Sequence, residues 1–102
     1  MTDAKTSADA AAARESLARA RREIEEIDRQ LIALLARRVG RSKEIGTLKR
    51  IAGMPTLDPA REAEVIRRAA SVAREQGLSD EKVRDIFWQI IGLSRTAQTE
   101  GE

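Results

Sequence analysis

The 102-residue sequence predicts an all-α fold of three helices per chain, long, short and medium, paired into an intertwined helical homodimer. Three observations lead there. From about Ser16 to Ile51 the chain lacks proline, and Leu17, Ile24, Ile27, Leu31, Leu34, Leu35, Ile45 and Leu48 recur at helical spacing. Boundary signals at Gly53–Pro55 and Gly77–Ser79 divide the rest into two shorter helices. Aromatic residues make up only 2% of the chain, so any core must be built from Leu, Ile, Val and Ala, and one copy alone would fill it poorly.

The first helix would run on the order of 54 Å, whereas a compact domain of this size has a diameter of roughly 34 Å. A helix longer than its own globule needs a partner, and the simplest solution lays two such helices side by side. Residues 1–15, MTDAKTSADAAAARE, mix Ala with small polar residues and carry no sustained apolar stripe. They are expected to form a flexible leader, with residues 16–102 as the single domain.

Gly53 and Pro55 are stop signals for the first helix. Asp58-Pro59 opens the second, with Asp as N-cap and Pro at the first helical position, and that helix is expected to reach about Gln76 before Gly77. Ser79 is a good cap for the third, with Asp80 and Glu81 in the first turn where the helix dipole favours them. Its stripe of Val83, Ile86, Phe87, Ile90 and Ile91 leads on to about Gln98.

Composition narrows the chemistry. With no cysteine and no histidine there are no disulfides, no thiolate metal sites, and none of the commonest general base or metal ligand. No metal site is expected, and any chemistry must use Arg, Lys, Asp, Glu, Ser or Gln. Nineteen Lys and Arg against 17 Asp and Glu leave a net charge of +2, too small for a general nucleic-acid footprint. No apolar run resembles a signal peptide or a membrane span, so the expected location is the cytoplasm, away from membranes.

Polar residues then stand where an apolar stripe should continue. Positions 24, 31, 38, 45 and 52 are seven apart, and among Ile, Leu, Ile and Ala the odd member is Arg38. A guanidinium there must find an anion or reach solvent, because it cannot shed its charge. Lys49 follows three turns later, rotated by only about 20° and roughly 16 Å along the axis, so one small dianion fits between the two side chains. Ser94 and Gln98 extend the stripe of the third helix with hydrogen-bonding groups. Arg61 stands in the first turn of the second helix, where the dipole disfavours a cation, beside Asp58 and Glu62.

Each residue also has a plainer reading. Asp58 caps a helix whatever the function, Arg61 and Glu62 could be a solvated pair, Ser94 or Gln98 alone could be incidental, and Arg38 could snorkel. Their joint occurrence reaches as far as a helical dimer with a cationic pocket.

The ordered set resembles the all-helical chorismate mutases, small monofunctional dimeric type, over about Leu17 to Gln98. The resemblance rests on the run R-x6-D-x2-L-x6-R-x10-K, here Arg21, Asp28, Leu31, Arg38 and Lys49, on Asp58-Pro59-Ala60-Arg61-Glu62, and on Ser94-x3-Gln98. It implies that Arg38 and Ser94 grip a substrate carboxylate while Lys49 and Gln98 hydrogen-bond the ether oxygen of the breaking bond. It further implies that Arg61 supports the carboxylate side, that Glu62 accepts from the ring hydroxyl, and that Asp58 contributes through its backbone. Arg21 would reach the other carboxylate from the second subunit. Independently, Arg21 lies about 25 Å along the helix from Arg38 and roughly 100° around it, too far to share a pocket within one helix.

The implied reaction is the cofactor-free conversion of chorismate to prephenate in Phe and Tyr biosynthesis. The resemblance leaves open a partner enzyme of the shikimate pathway. Two rivals carry different expectations. An isochorismate-pyruvate lyase resembles the same fold but lacks an acid and a serine where this sequence has Glu62 and Ser94. A non-enzymatic helical dimerisation module would turn Arg38 and Lys49 to solvent.

Overall fold

The computed structural model describes residues 2–100, and within them all regular structure is helical: α1 (Thr2–Ala52), α2 (Pro59–Glu75) and α3 (Asp80–Thr99). The order long, short, medium is as expected, and α2 and α3 end within one residue of the expected positions. The start of α1 differs, for the helix already includes residues 2–15. Apolar periodicity reports a face that packs, but Ala, Glu and Arg are strong helix formers without one, so a helix established downstream extends through Ala10–Ala13 and Arg14-Glu15.

Two compact units divide the chain at residues 1–34 and 35–102. In the first, which lies within α1, the whole apolar stripe of Leu17, Ile24, Ile27, Leu31 and Leu34 is exposed. Local ion pairs such as Arg29–Glu26, at 3.1 Å, run along it.

The second unit joins residues 35–52 of α1 to α2 and α3. Its buried side chains are small. From α2 come Ile66, Ala69, Ala70 and Ala73 at the 3–4 spacing of one helical face, and from α3 come Ile91, Ser94 and Ala97. Alanines on one face let α2 and α3 approach closely, and Ser42 is the buried contribution of α1.

Gly46 is buried between α1 and α3, and a Cβ placed on it would sit 2.5 Å from the carbonyl oxygen of Gln98 and 2.8 Å from its Cα. Any larger residue would force the two helices apart.

Helix ends are closed by sequence-local devices. The amides of Gly53 and Met54 bond back to Arg50 (3.2 Å) and Lys49 (2.8 Å), and those of Gly77 and Leu78 to Arg74 (3.1 Å) and Ala73 (2.8 Å). Both are Schellman ends, which place the glycine at positive φ, here 69° and 73°. Asp58 accepts from the Arg61 amide at 3.0 Å and Ser79 from the Lys82 amide at 3.2 Å, the two caps read from the sequence. Asp80 adds a staple, meeting Arg74 at 2.9 Å and Arg84 at 3.3 Å.

Gly46→Ala is therefore expected to cost about 1–3 kcal/mol by overpacking, despite the better helix propensity of Ala. Gly40, also within α1, provides the control, because a Cβ added there would have nothing within 4 Å of it. Gly40→Ala should stabilise by about 0.5–1 kcal/mol, and thermal melts of the two variants should move in opposite directions.

Candidate functional site

Where the three helices of the second unit meet, they enclose a cleft of about 360 Å³. From α1 it receives Arg38, Arg41, Ser42, Ile45 and Lys49; from the start of α2 and its cap, Asp58, Arg61, Glu62 and Val65; from α3, Ile91, Ser94 and Gln98. Seven of the eight site residues read from the sequence thus line one cleft. The eighth, Arg21, is exposed on the unit formed by residues 1–34.

Periodicity explains the α1 wall, because Arg38, Ser42, Ile45 and Lys49 are spaced by four, three and four residues along one face. At one end of the cleft the Arg38 guanidinium donates to Ser94 Oγ, which also accepts from Ser42 Oγ at 3.1 Å. Partial burial lowers the Arg38 pKa from its ordinary value, yet a guanidinium stays charged throughout the working range.

At the other end the Lys49 ammonium donates to the Thr56 carbonyl at 2.8 Å and to Gln98 Oε1 at 3.0 Å. An ammonium can only donate, so this contact fixes the amide orientation: the Gln98 oxygen faces Lys49 and its NH2 group turns away. Arg50 completes the mounting by donating to the Gln98 backbone carbonyl at 2.9 Å.

The acidic residues are already committed. Arg61 pairs with Glu64 at 2.8 Å, not with the adjacent Glu62, because residues three apart share a helix face and neighbours diverge by about 100°. Arg41 pairs with Glu44 at 2.8 Å, and Asp58 is engaged as a cap. Glu62 is held by Arg95 of α3 through two bonds, Nε to Oε2 at 2.7 Å and Nη2 to Oε1 at 2.6 Å. The Arg95 bond is the main cause holding the Glu62 carboxyl below its ordinary pKa; desolvation and the Asp58 charge oppose it, and Lys49 assists.

Among the described residues, Arg38 and Lys49 therefore have neutral partners and no carboxylate. Two partly buried cations facing one cleft, each braced by a hydroxyl or an amide, are chemically suited to a small molecule with separated negative charges. No group of three or more acidic residues gathers as a metal site among the described residues. Likewise, no described helix is long and apolar enough to cross a membrane.

Sequence reasoning missed Ser42, Arg41, Arg50 and Arg95. Ser42 carried a signal, lying four residues after Arg38 on the same face. Arg95 carried none, since nothing local ties it to a residue 33 positions earlier.

Fold and cleft together define an all-helical domain with a cationic cleft whose polar groups come from all three helices. Residues 20–99 match the chorismate mutase type II family. A chorismate mutase of Methanocaldococcus jannaschii is 32% identical over 86 residues, covering 84% of this chain and 87% of that protein. The T-proteins of Haemophilus influenzae and Enterobacter agglomerans are 32% and 28% identical over 72% and 78% of this chain, which spans only 19% and 21% of their length. This chain belongs to the chorismate mutase type II family.

Because the Glu62 carboxyl is depressed in the folded state, its contribution to stability is present above the unfolded carboxyl pKa, about 4.3, and is lost as pH falls through the lower folded value. Glu62→Gln should melt below the wild type at pH 7, and the gap should close on acidification below about pH 4. Paired urea titrations at neutral and acid pH measure it.

Proposed function

We propose that this chain is a chorismate mutase, converting chorismate to prephenate by an intramolecular [3,3] rearrangement in Phe and Tyr biosynthesis, and that it works as a homodimer. The observation that carries the reading is the pair of cations, Arg38 and Lys49, facing one cleft without carboxylate partners while every other cleft charge is committed.

In this reading Arg38 and Ser94, already bonded to each other, grip one substrate carboxylate. Lys49 and Gln98, 3.0 Å apart, donate together to the ether oxygen as negative charge develops on it. Arg61 supports the carboxylate-binding side, Asp58 presents backbone at the helix start, and Glu62 accepts from the ring hydroxyl. Such a rearrangement transfers no proton to the protein and needs no nucleophile, so catalysis consists of positioning plus electrostatics. A millionfold acceleration requires about 8 kcal/mol. One donor to a developing oxyanion is worth about 3–4 kcal/mol, so Lys49 and Gln98 together are of the right order.

The dimer is supported by apolar surface that one copy leaves bare. The stripe Leu17, Ile24, Ile27, Leu31 and Leu34 is exposed on α1. A second hollow of about 440 Å³ between α2 and α3 is lined by Val65, Ala69, Val72, Leu78, Val83 and Phe87, with Arg38 and Arg61 shared with the cleft. A second copy laying its α1 stripe there would bury both surfaces and bring its own Arg21 toward the second carboxylate.

Lys49→Ala is expected to be the most damaging single change, leaving less than about a tenth of wild-type turnover in an assay following chorismate loss and prephenate formation. Turnover should be flat between about pH 6 and 8, because Gln98 is a neutral donor. Isochorismate in the same assay tests the lyase alternative, for which pyruvate release would be the signature.

The shared site has its own test. In Arg21→Ala/Lys49→Ala heterodimers one site carries both substitutions and the other neither, so mixing the two weakly active proteins under exchange conditions should restore activity to about a quarter of wild type. Absence of recovery, with heterodimers verified by mass, would place Arg21 outside the site.

A further inference from the structure

Arg95 lies outside the lining of the cleft, yet it makes the shortest ion pair to any of the residues that line it. It follows Ser94 in sequence and so points about 100° away from it around α3, where its side chain is half exposed. From there it reaches α2 and meets the largely covered Glu62, whose side chain is 16% exposed, by two bonds of 2.7 and 2.6 Å.

We propose that Arg95 is a positioning residue for the substrate site, fixing the plane in which the Glu62 carboxylate faces the cleft so that a remaining lone pair can accept from a substrate hydroxyl. The inference rests on the reading of this cleft as the chorismate site.

The chemistry of the pair supports it. A guanidinium fork bound to both oxygens of a carboxylate fixes its rotation about the terminal bond, which a single hydrogen bond would leave free. Each carboxylate oxygen has two lone pairs, and the fork occupies one of each, so Glu62 keeps acceptor capacity for a ligand. The pair also joins the first turn of α2, with Asp58 and Arg61, to the turns of α3 that carry Ser94 and Gln98. The contact that orients the carboxylate thus also ties the two helices together at the cleft.

The surroundings of Glu62 show what removal of Arg95 would do. From α1, Lys49 faces it and favours the charged form, and Arg38 and Arg41 line the same cleft. From its own end of α2, Asp58 disfavours the charge, while Arg61 is paired with Glu64. From α3 the charged neighbour is Arg95, and its hydrogen bond is the largest influence on the carboxyl. Without it the largest influence holding the carboxyl down is gone, so the carboxyl rises. A merely structural ion pair on a helix surface would leave the titration of turnover untouched.

The test is the pH dependence of kcat/KM for chorismate between about pH 4 and 8 in wild type, Arg95→Met, Arg95→Lys, Glu62→Ala and Glu62→Ala/Arg95→Met. The titration of the substrate is common to all five proteins. Arg95→Met should lose about tenfold in kcat/KM at neutral pH and shift the acid limb upward by about one pH unit. Arg95→Lys, which keeps the charge but not the fork, should restore the acid limb more fully than the neutral rate. On the Glu62→Ala background, Arg95→Met should change little, because the group it orients is gone.

A wild-type pH profile and rate in Arg95→Met would overturn the proposal, as would an equal loss on both backgrounds. If wild type does not turn over chorismate, or Glu62→Ala matches it, the cleft reading itself fails, and that outcome differs from a failure confined to Arg95.

Discussion

The close approach of α1 to α3 at Gly46 is the contact on which the site depends. With no Cβ on Gly46, the Gln98 backbone lies against α1, and the residues one turn to either side meet their partners across the junction. Three positions beyond Gly46, Lys49 reaches Gln98 Oε1; four positions before it, Ser42 reaches Ser94. Arg38, a further turn back, shares the same serine, and Arg50 holds the Gln98 carbonyl from the opposite side. Side chains long enough to reach ligands are thereby braced against hydroxyl, amide and carbonyl groups, which limits the rotamer freedom that binding would otherwise have to remove.

Charge is distributed to the same end. Glu44, Glu64 and Asp80 are paired with arginines on their own or adjacent turns, Asp58 closes a helix end, and Glu62 is engaged by Arg95. What remains is a cleft with two cations, Arg38 and Lys49, whose partners are neutral. On the proposed reading the substrate supplies the missing negative charge, so ground-state binding is driven by the carboxylates and catalysis by donors at the ether oxygen. Surface pairs elsewhere are of the exposed kind that contributes little to stability.

Packing explains why the chain is mostly surface. Alanines at 69, 70, 73 and 97 give close helix contacts but little buried apolar area, and no side chain larger than isoleucine is buried among the described residues. The bulky residues lie outside: leucines and isoleucines along residues 17–34 of α1, and Val72, Leu78 and Ile86 on or beside the other two helices. On the proposed reading the large apolar residues on exposed faces serve association of two copies, with the hollow between α2 and α3 as the receiving surface.

Much of this was legible before any coordinates. Helix number, the Asp58 and Ser79 caps, the glycine ends and the face carrying Arg38 and Lys49 all follow from spacing along one helix, because 3.6 residues per turn converts sequence separation into direction. Helix α1 begins well before the apolar stripe for a related reason: a stripe signals burial, and an Ala-rich segment can be helical without one. Partner choice between helices was another matter. That Glu62 would bind Arg95, and that Gln98 would rest against Gly46, depended on how far apart the helices pack and how they are rotated about their axes. The sequence by itself determined which groups each helix offers and on which face. Only the tertiary structure decided which of them meet, because a distance of a few ångströms across a helix junction is set by the sum of all contacts there and is written in no single local spacing.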